Sequence, residues 1–298
     1  MANTTFDGAF SDLKLKVASE TAIQQIYPAL AKLDSFAHTY NELDGRPGES
    51  IVIPVYDLSA ASDFNAGVND YGTGAVNEVT AAHVTLDKHL VKSIAVTDRE
   101  LADTGISWVR DATKGLARTM GRSLNAYVMG LVNSTNVPLS ASFAVGTKAQ
   151  PTVQNLYKIA VDNGIDVGEA TVVLNAKNFT NLLGVLDYAM YGGREAVQAG
   201  WVDGLFGFRK VVMSDQLADG IDGFIAAYGS IGIASRYLEP LAGAYPVSFK
   251  ATDPDSGFST GFRLYADLAT GVRKYSIEAL VGARVLIPNR IVRLINPS

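Results

Sequence analysis

The chain has 298 residues, of which 48% are hydrophobic and only 18% are charged, and its formal net charge at pH 7 is −5. It contains no Lys/Arg-rich run, which argues against a protein that grips nucleic acid by its phosphates. It also contains no Cys, so disulfides, thiolate metal sites and Cys nucleophiles are excluded.

The apolar content is sufficient for one large domain or two modest ones. The charged share is below the usual quarter of a soluble domain, which favours a surface partly covered by other subunits and therefore an oligomer. No apolar segment approaches the roughly 18 residues of a membrane-spanning helix, and the N-terminal residues lack the basic and apolar runs of a signal peptide. We therefore expect no membrane partner.

Residues 1–44 are predicted to form an N-terminal arm that contains one or two short helices. Between residues 10 and 40 the apolar side chains recur at helical spacing, namely at Leu13, Val17, Ile23, Ile26, Leu30, Leu33 and Phe36. The sequence NELDGRPGES, which contains Gly, Pro and Asp, then indicates a turn.

Residues 45–97 are predicted to form an extended β-ribbon. SIVIPVYDL is typical of a strand, and the polar, Gly- and Asn-rich sequence ASDFNAGVNDYGTGAVNE indicates a mobile loop. Residues 84–97 alternate without interruption, which predicts a single strand of roughly 45 Å. Because a lone two-stranded ribbon is marginal in water, the ribbon must lie against another surface. Lys88 and Lys92 interrupt the apolar face of this strand, which is formed by Val84, Leu86, Leu90, Ile94 and Val96.

The ribbon is predicted to end at a capping box that starts a helix. Thr97 is the expected N-cap and Glu100 the third helical residue, while Val96 and Leu101 stand where a hydrophobic staple would form. A second helix, roughly 40 Å long, is predicted over residues 106–133. Its apolar stripe consists of Trp108, Ala112, Leu116, Met120, Leu124, Tyr127 and Leu131. Residues 134–151 are interpreted as a linker.

The remaining chain divides into an α/β part at residues 151–244 and a mostly β part at residues 245–298. In the first part, VQNLYKIAVDNG and NFTNLLGVLDYAMY predict helices, and ATVVLN, FRKVVM and DGFIAAYG predict strands. SIGIASRYLE is interpreted as a short helix. In the second part, YPVSFKA, GFRLYADLATGVRKY and ARVLIPNRIVRLI predict strands that return to the first half of the chain.

The sequence contains almost no signal of a catalytic, cofactor or metal site. His83, Asp87 and His89 could be offered as metal ligands, but their strand pattern is typical of solvated residues. The sequence DPDSGF at residues 253–258 lacks the Glu that a calcium loop requires at its twelfth position, which is Leu264 here. No G-x-S-x-G nucleophile elbow is present. For a chain of this size the result favours a structural protein that needs no cofactor.

Four segments, taken in order, resemble the major capsid proteins of tailed bacteriophages, which share the Hong Kong 97-type fold. Ile94–Asp103 is similar to that family's strand and Ser/Thr-x-x-Glu-Leu entry to its long spine helix. Val173–Asn175, followed by Leu182, Leu183 and Asp187, resembles its strand–Asn–helix segment. The other two segments are Gly200–Gly207 with Val211, Val212 and Ser214, and the closing Ala283–Pro288 with Ile291 and Val292.

The resemblance implies an α+β capsid fold with an N-terminal arm, an extended ribbon called the E-loop, a peripheral domain built on the spine helix, and an axial α/β domain. It implies self-assembly into pentamers and hexamers of an icosahedral virion shell around double-stranded DNA, assembled in the host cytoplasm. Scaffolding, portal and decoration proteins are possible further partners. It also implies that the ribbon contacts a neighbouring subunit, with Val84, Leu86, Lys88, Leu90 and Lys92 as candidate contacts.

Two other functions fit parts of the sequence. A bacterial encapsulin, which is a nanocompartment shell that loads cargo enzymes, would have the same architecture. A soluble α/β enzyme with an unrecognised carboxylate site would explain residues 151–245 but not the ribbon.

Overall fold

The computed structural model describes residues 22, 24–40, 50–56, 79–97, 99, 106–144, 149–185, 201–203, 207–239, 247–253, 256–267 and 271–295. The described helices are α1 (24–33), α2 (Ile106–Gly130), α3 (Ala149–Asp162) and α4 (Ala176–Val185). Most of the described strands belong to two six-stranded sheets, and β2 (Ser50–Tyr56) and β3 (Val79–Thr85) form a separate two-stranded ribbon. The predicted α+β class is confirmed.

The first sheet is built around one long strand, β13 (Val272–Val285). Its strand order is β1-β10-β13-β12-β11, and β4 also pairs with β13. Along β13, the residues from Val272 to Glu278 pair with β12, and those from Leu280 to Val285 pair with β10. The other strands of this sheet are β1 (Ala37–Tyr40), β4 (Lys88–Thr97), β10 (Ile231–Arg236), β11 (Val247–Thr252) and β12 (Ser259–Asp267).

The second sheet has the order β5-β14-β9-β6-β8-β7 and is covered on both faces. Because side chains alternate along a strand, Val173 and Phe224 enter the core shared with the first sheet, while Val172 and Ile225 face the core formed with α3 and α4. Its strands are β5 (Ser140–Ser142), β6 (Ala170–Leu174), β7 (Trp201–Asp203), β8 (Lys210–Met213), β9 (Gly223–Ala227) and β14 (Ile291–Ile295).

Helix α2 is the predicted long helix, and its buried stripe forms much of the first core. Leu116, Met120 and Leu124 are buried there, as the helical spacing predicts. The N-terminal helix α1 crosses α2 closely, because a Cβ on Gly121 would lie 3.0 Å from the Cβ of Ala29. Packing therefore explains why a helix interior tolerates this Gly, which costs about 1 kcal/mol relative to Ala in an isolated helix.

Three predictions about local structure are wrong. The single strand over residues 84–97 is interrupted at Leu86–Asp87, so that β3 (Val79–Thr85) pairs with β2 (Ser50–Tyr56) whereas β4 pairs with β13. The sequence SIGIASRYLE contains strand β10, because its residues are buried on both sides between β1 and β13. The linker contains β5, which pairs with β14.

The division at residue 244 also does not follow the sheets. β10 precedes this boundary but lies in the first sheet, and β14 follows it but lies in the second sheet, paired with β9 and β5. The chain therefore crosses between the sheets more than once, which ties them into a shared core.

Candidate functional site: the seat of the β-ribbon

The ribbon formed by β2 and β3 rests on the first sheet of its own chain. Its strands are antiparallel, with Ile51 opposite Val84. The inward side chains are buried against β10 and β13 of this sheet, and their contact is called the ribbon seat below. The ribbon seat consists of Ile51, Ile53, Val84, Leu86, Ala234 and Leu280. Burying four ribbon side chains at about 1.5–3 kcal/mol each gives the two-stranded ribbon the support that it lacks by itself.

Glycines allow the ribbon backbone to approach the sheet. A Cβ on Gly282 would overlap the carbonyl oxygen of Thr85 and would lie 2.8 Å from its carbonyl carbon. A Cβ on Gly232, which lies on β10 opposite Arg284, would meet the side chain of Ile53 at 3.3 Å. The guanidinium of Arg284 adds a hydrogen bond by donating from Nη1 to the carbonyl of His83 at 3.0 Å. Gly282 is thus a point of close approach between β13 and the ribbon.

The chain changes sheets at Asp87, and the side chain of Tyr127 on α2 contacts this point. The Tyr127 hydroxyl donates to Oδ1 of Asp87 at 3.1 Å and accepts from the backbone N–H of Ala283 at 3.2 Å. The ammonium of Lys88 lies 5.9 Å from the centre of the Tyr127 ring. Burial, with a further contribution from the Asp87 carboxylate, raises the pKa of Tyr127 to about 12. The hydroxyl therefore remains a hydrogen-bond donor throughout the neutral pH range.

Among its described residues, the outward face of the ribbon is exposed and carries no carboxylate, Lys or Arg. Val52 is 55% exposed, and Pro54 and Ala81 stand beside it as a register pair. Val52 is paired with His83, whose Nδ1 lies 3.3 Å from Oγ of Ser50. An exposed, uncharged strand face of this kind is typical of a surface that meets another protein.

A buried ion pair lies next to the ribbon seat. Glu278 on β13 and Arg263 on β12 form a salt bridge, and both side chains are about nine-tenths buried. Arg263 also donates to the carbonyl of Leu238 at 2.7 Å. Nε2 of His89 on β4 lies 3.2 Å from the other carboxylate oxygen of Glu278. These contacts join three strands of the first sheet beside the ribbon.

The predicted inter-subunit contacts must be corrected for two residues. Val84 and Leu86 are 0% and 3% exposed because they belong to the ribbon seat, so their side chains have no surface to offer to a neighbour. Leu90 is partly buried against the first core. Lys88 and Lys92 are exposed, as their interruption of the apolar face predicts, and their contact with a neighbour remains a prediction.

The predicted capping residues are only partly described. Val96 is buried in the first core, and Thr97 is the last residue of β4, opposite Val272. Glu100 and Leu101 lie outside the described residues, as do the predicted loop at residues 61–78 and most of the N-terminal arm. The capping box therefore remains a prediction.

Sequence reasoning missed Gly282 and the role of Tyr127. A Gly inside an apolar strand is a signal of close backbone approach, so Gly282 could have been found in this way. In the sequence, Tyr127 is 40 positions from Asp87 and 156 positions from Ala283, and no local pattern indicates contacts over such separations.

The part of the chain that the structure describes also bears on an enzyme or membrane role. There, no group of three His, Asp or Glu side chains could hold a metal ion, and no helix is long and apolar enough to cross a membrane. An open cleft of about 530 Å³ beside α3 is lined largely by Tyr157, Val161, Ile165 and Val167, with Asp166 as a polar neighbour. Such a lining suits an apolar contact better than catalysis.

Comparison with known proteins agrees with the fold. A family model described as "Phage capsid protein" matches residues 77–281, more than two thirds of the chain. No curated protein sequence matches significantly. The solved structures with a similar fold include the capsid of an empty GTA particle computed with C5 symmetry, at 16% identity over 90% of each chain and a TM-score of 0.58.

Two further structures are similar over most of their length. Gordonia phage Cozz matches 88% of this chain and 85% of its own at 13% identity, with a TM-score of 0.54. A virus-like particle from Pyrococcus furiosus matches 94% of this chain and 98% of its own at 11% identity, with a TM-score of 0.53. At these identities the structural matches show a common fold alone. The match to the family model shows that the chain is related to phage capsid proteins. The chain therefore belongs to the phage capsid protein family and is a structural component of the virion shell rather than an enzyme.

Proposed function

We propose that the chain is a major capsid protein that assembles into pentamers and hexamers of an icosahedral shell, and that the outward face of its ribbon contacts a neighbouring subunit. The observation that carries the second part is the orientation of the ribbon. Its apolar inward face is already buried on its own sheet, while Val52 on the outward face is 55% exposed. A strand pair with one face buried in its own chain and one exposed face without Lys, Arg or carboxylates is suited to pack against a second protein.

The exposed lysines support a contact between copies of this chain. Lys88 and Lys92 follow the ribbon on β4 and are exposed, whereas the chain as a whole has a formal net charge of −5. A neighbouring copy therefore offers more carboxylates than cations to these two ammonium groups. Such pairs at the edge of an interface mainly orient the partners and add little affinity.

The proposed parts of the shell follow the α+β architecture. The ribbon and the N-terminal arm would make contacts between capsomers, α2 and the first sheet would form the peripheral domain, and the second sheet with α3 and α4 would surround the capsomer axis. Double-stranded DNA is the proposed content. The acidic balance suits a container, because a chain with a formal net charge of −5 has little net attraction for packed phosphates.

An encapsulin-type shell is the alternative, because the fold is also found in the virus-like particle from Pyrococcus furiosus. The two alternatives differ in their partners. Terminase, portal, scaffolding or decoration proteins encoded nearby would support a phage shell, whereas a nearby peroxidase or ferritin-like cargo protein would support a nanocompartment. The match to the phage capsid protein family favours the first.

The outward face can be tested by placing a charge on it. Val52→Glu is expected to fold normally, because the side chain is exposed, and to lose assembly, because a carboxylate would have to be desolvated in the contact. Val52→Thr is the matched control, since it keeps the β-branched shape and is expected to assemble. Analytical ultracentrifugation measures assembly, and thermal unfolding checks the fold. Normal shells from Val52→Glu would show that this face does not meet a neighbour.

A second test removes residues 60–80, which include the predicted loop. The chain is expected to remain folded, because both sheets lie outside this segment, but to form few shells or shells of the wrong size. Electron microscopy of the assembly products measures the effect. Normal shells would contradict the role proposed for the ribbon.

A further inference from the structure

The contact between Tyr127 and the point where the chain changes sheets carries an inference that rests on the proposed function. The pairing of β4 with β13 ends at Lys88 and Val281. Ala283 lies two residues further along β13, and its backbone N–H donates to the Tyr127 hydroxyl. The side chain of Tyr127 on α2 thus hydrogen-bonds the backbone of β13 just beyond the last residue that pairs with β4, where the chain enters the ribbon.

The same hydroxyl holds the ribbon side of the junction. It donates to Asp87, the residue between β3 and β4, while the ammonium of Lys88 lies near the face of its ring. The hydroxyl is therefore a shared point of three elements: α2, β13 and the base of the ribbon. Removing the hydroxyl would take one hydrogen bond from Asp87 and one from the backbone N–H of Ala283, and a backbone N–H left without a partner is costly.

The ribbon seat alone does not fix the direction of the ribbon. Its contacts are apolar and non-directional, and they join side chains of the ribbon to Ala234 on β10 and Leu280 on β13. The hydrogen bond beside it, from Arg284 to the carbonyl of His83, comes from a long and exposed side chain. The two hydrogen bonds of the Tyr127 hydroxyl are directional, and they connect the ribbon base to the long helix. A shell requires that direction to be reproducible, because the ribbon of each subunit must reach the same place on its neighbour.

We propose that Tyr127 is a positioning residue for assembly, which fixes the direction in which the ribbon leaves the subunit through hydrogen bonds to Asp87 and Ala283. These contacts of Tyr127 are made within its own chain, and the ribbon carries their effect to a neighbouring copy.

The test compares Tyr127→Phe with Tyr157→Phe, which removes a hydroxyl from an exposed ring on α3. In the unassembled full-length chain, Tyr127→Phe is expected to raise the amide exchange rate of Ala283 and of residues 82–88 at least tenfold, with most of β6 and β9 unchanged. In assembly, it is expected to broaden the distribution of particle diameters measured by electron microscopy. Tyr157→Phe should change neither measurement.

Variants at Asp87 separate positioning from general stability. Asp87→Asn keeps Oδ1 as an acceptor and is expected to retain wild-type exchange and diameters. Asp87→Ala should raise exchange at residues 82–88 and broaden the diameters, but it should leave Ala283 unchanged because the bond from its N–H to the Tyr127 hydroxyl remains. Wild-type exchange at Ala283 and residues 82–88 in Tyr127→Phe would overturn the proposal, and so would shells of normal diameter from that variant. Failure of the wild-type chain to assemble in any context would instead count against the proposed function, and the exchange measurement would still decide the role of Tyr127.

Discussion

Replacing Gly282 by Ala tests whether the ribbon rests on its own sheet. The added Cβ would overlap the carbonyl oxygen of Thr85 and lie 2.8 Å from its carbonyl carbon and 3.2 Å from the Cα of Leu86. Carbon atoms are in favourable contact at about 3.5–4.0 Å, so β3 would have to retreat by roughly 0.7 Å or more. A gap of that size forfeits about a quarter to a half of the dispersion attraction across the ribbon seat.

The loss of folding stability expected for Gly282→Ala follows from these contacts. Overpacking of this kind destabilises by about 1–3 kcal/mol. With an unfolding entropy of about 2.1 cal/mol/K per residue, a chain of 298 residues has about 0.6 kcal/mol/K, so Tm is expected to fall by roughly 2–5 °C. The ribbon should also exchange its amide hydrogens faster, and the shells should be malformed.

Gly115→Ala is the matched control, because it makes the same chemical change on the exposed side of α2, where an added Cβ meets nothing within 4 Å. It should stabilise the helix by up to about 1 kcal/mol and leave assembly unchanged. Calorimetry of the unassembled chain and electron microscopy of the assembled product give the two readouts. A Gly282→Ala chain with wild-type Tm, wild-type ribbon exchange and normal shells would refute the close approach of Thr85.

Other predictions concern single side chains near the ribbon. The pKa of Tyr127 is raised to about 12 from an ordinary 10, so folding favours the protonated form; its contribution to stability is complete below pH 10 and is lost as the pH rises toward 12. Tyr127→Phe should therefore weaken the loss of stability between pH 10 and 12, as followed by circular dichroism, and Tyr157→Phe should not; identical pH curves for wild type and Tyr127→Phe would count against the burial of the Tyr127 hydroxyl. Glu278→Gln removes the buried partner of Arg263 and should cost about 3–5 kcal/mol in urea unfolding. Arg122→Ala breaks the exposed pair with Asp215 and should cost less than about 1 kcal/mol, so equal costs for the two variants would contradict the burial of Glu278 and Arg263.

Patterns within one element predicted that element well. The spacing of Leu116, Met120 and Leu124 gave both the existence of α2 and its buried face, because a helix of this length shows many repeats of its period. Alternation also placed Val84, Leu86 and Val96 on a buried face and Lys88 and Lys92 in solvent.

The choice of partner strand could not be read from alternation. Side chains continue to alternate through Leu86–Asp87, although the strand exchanges β2 for β13 at that point, because pairing depends on residues far away in the sequence. The same limit explains why Val84 and Leu86 were predicted to contact a neighbouring subunit. Their apolar character predicts burial, but it does not tell whether the covering surface belongs to the same chain or to a neighbour.

The second kind of error came from short buried segments. Ile231–Arg236 is buried on both sides, so it shows neither the alternation of a half-exposed strand nor enough residues to distinguish it from a helix. The strand β5 has three residues and lies in a polar stretch, where its pairing with β14 leaves no local signal.

The central claim, that this chain builds a shell by self-association, is tested most directly by electron microscopy of the purified full-length chain, expressed alone and then with its neighbouring genes. The account predicts closed shells or ring-shaped capsomers of five and six subunits. Small uniform particles under both conditions would contradict it.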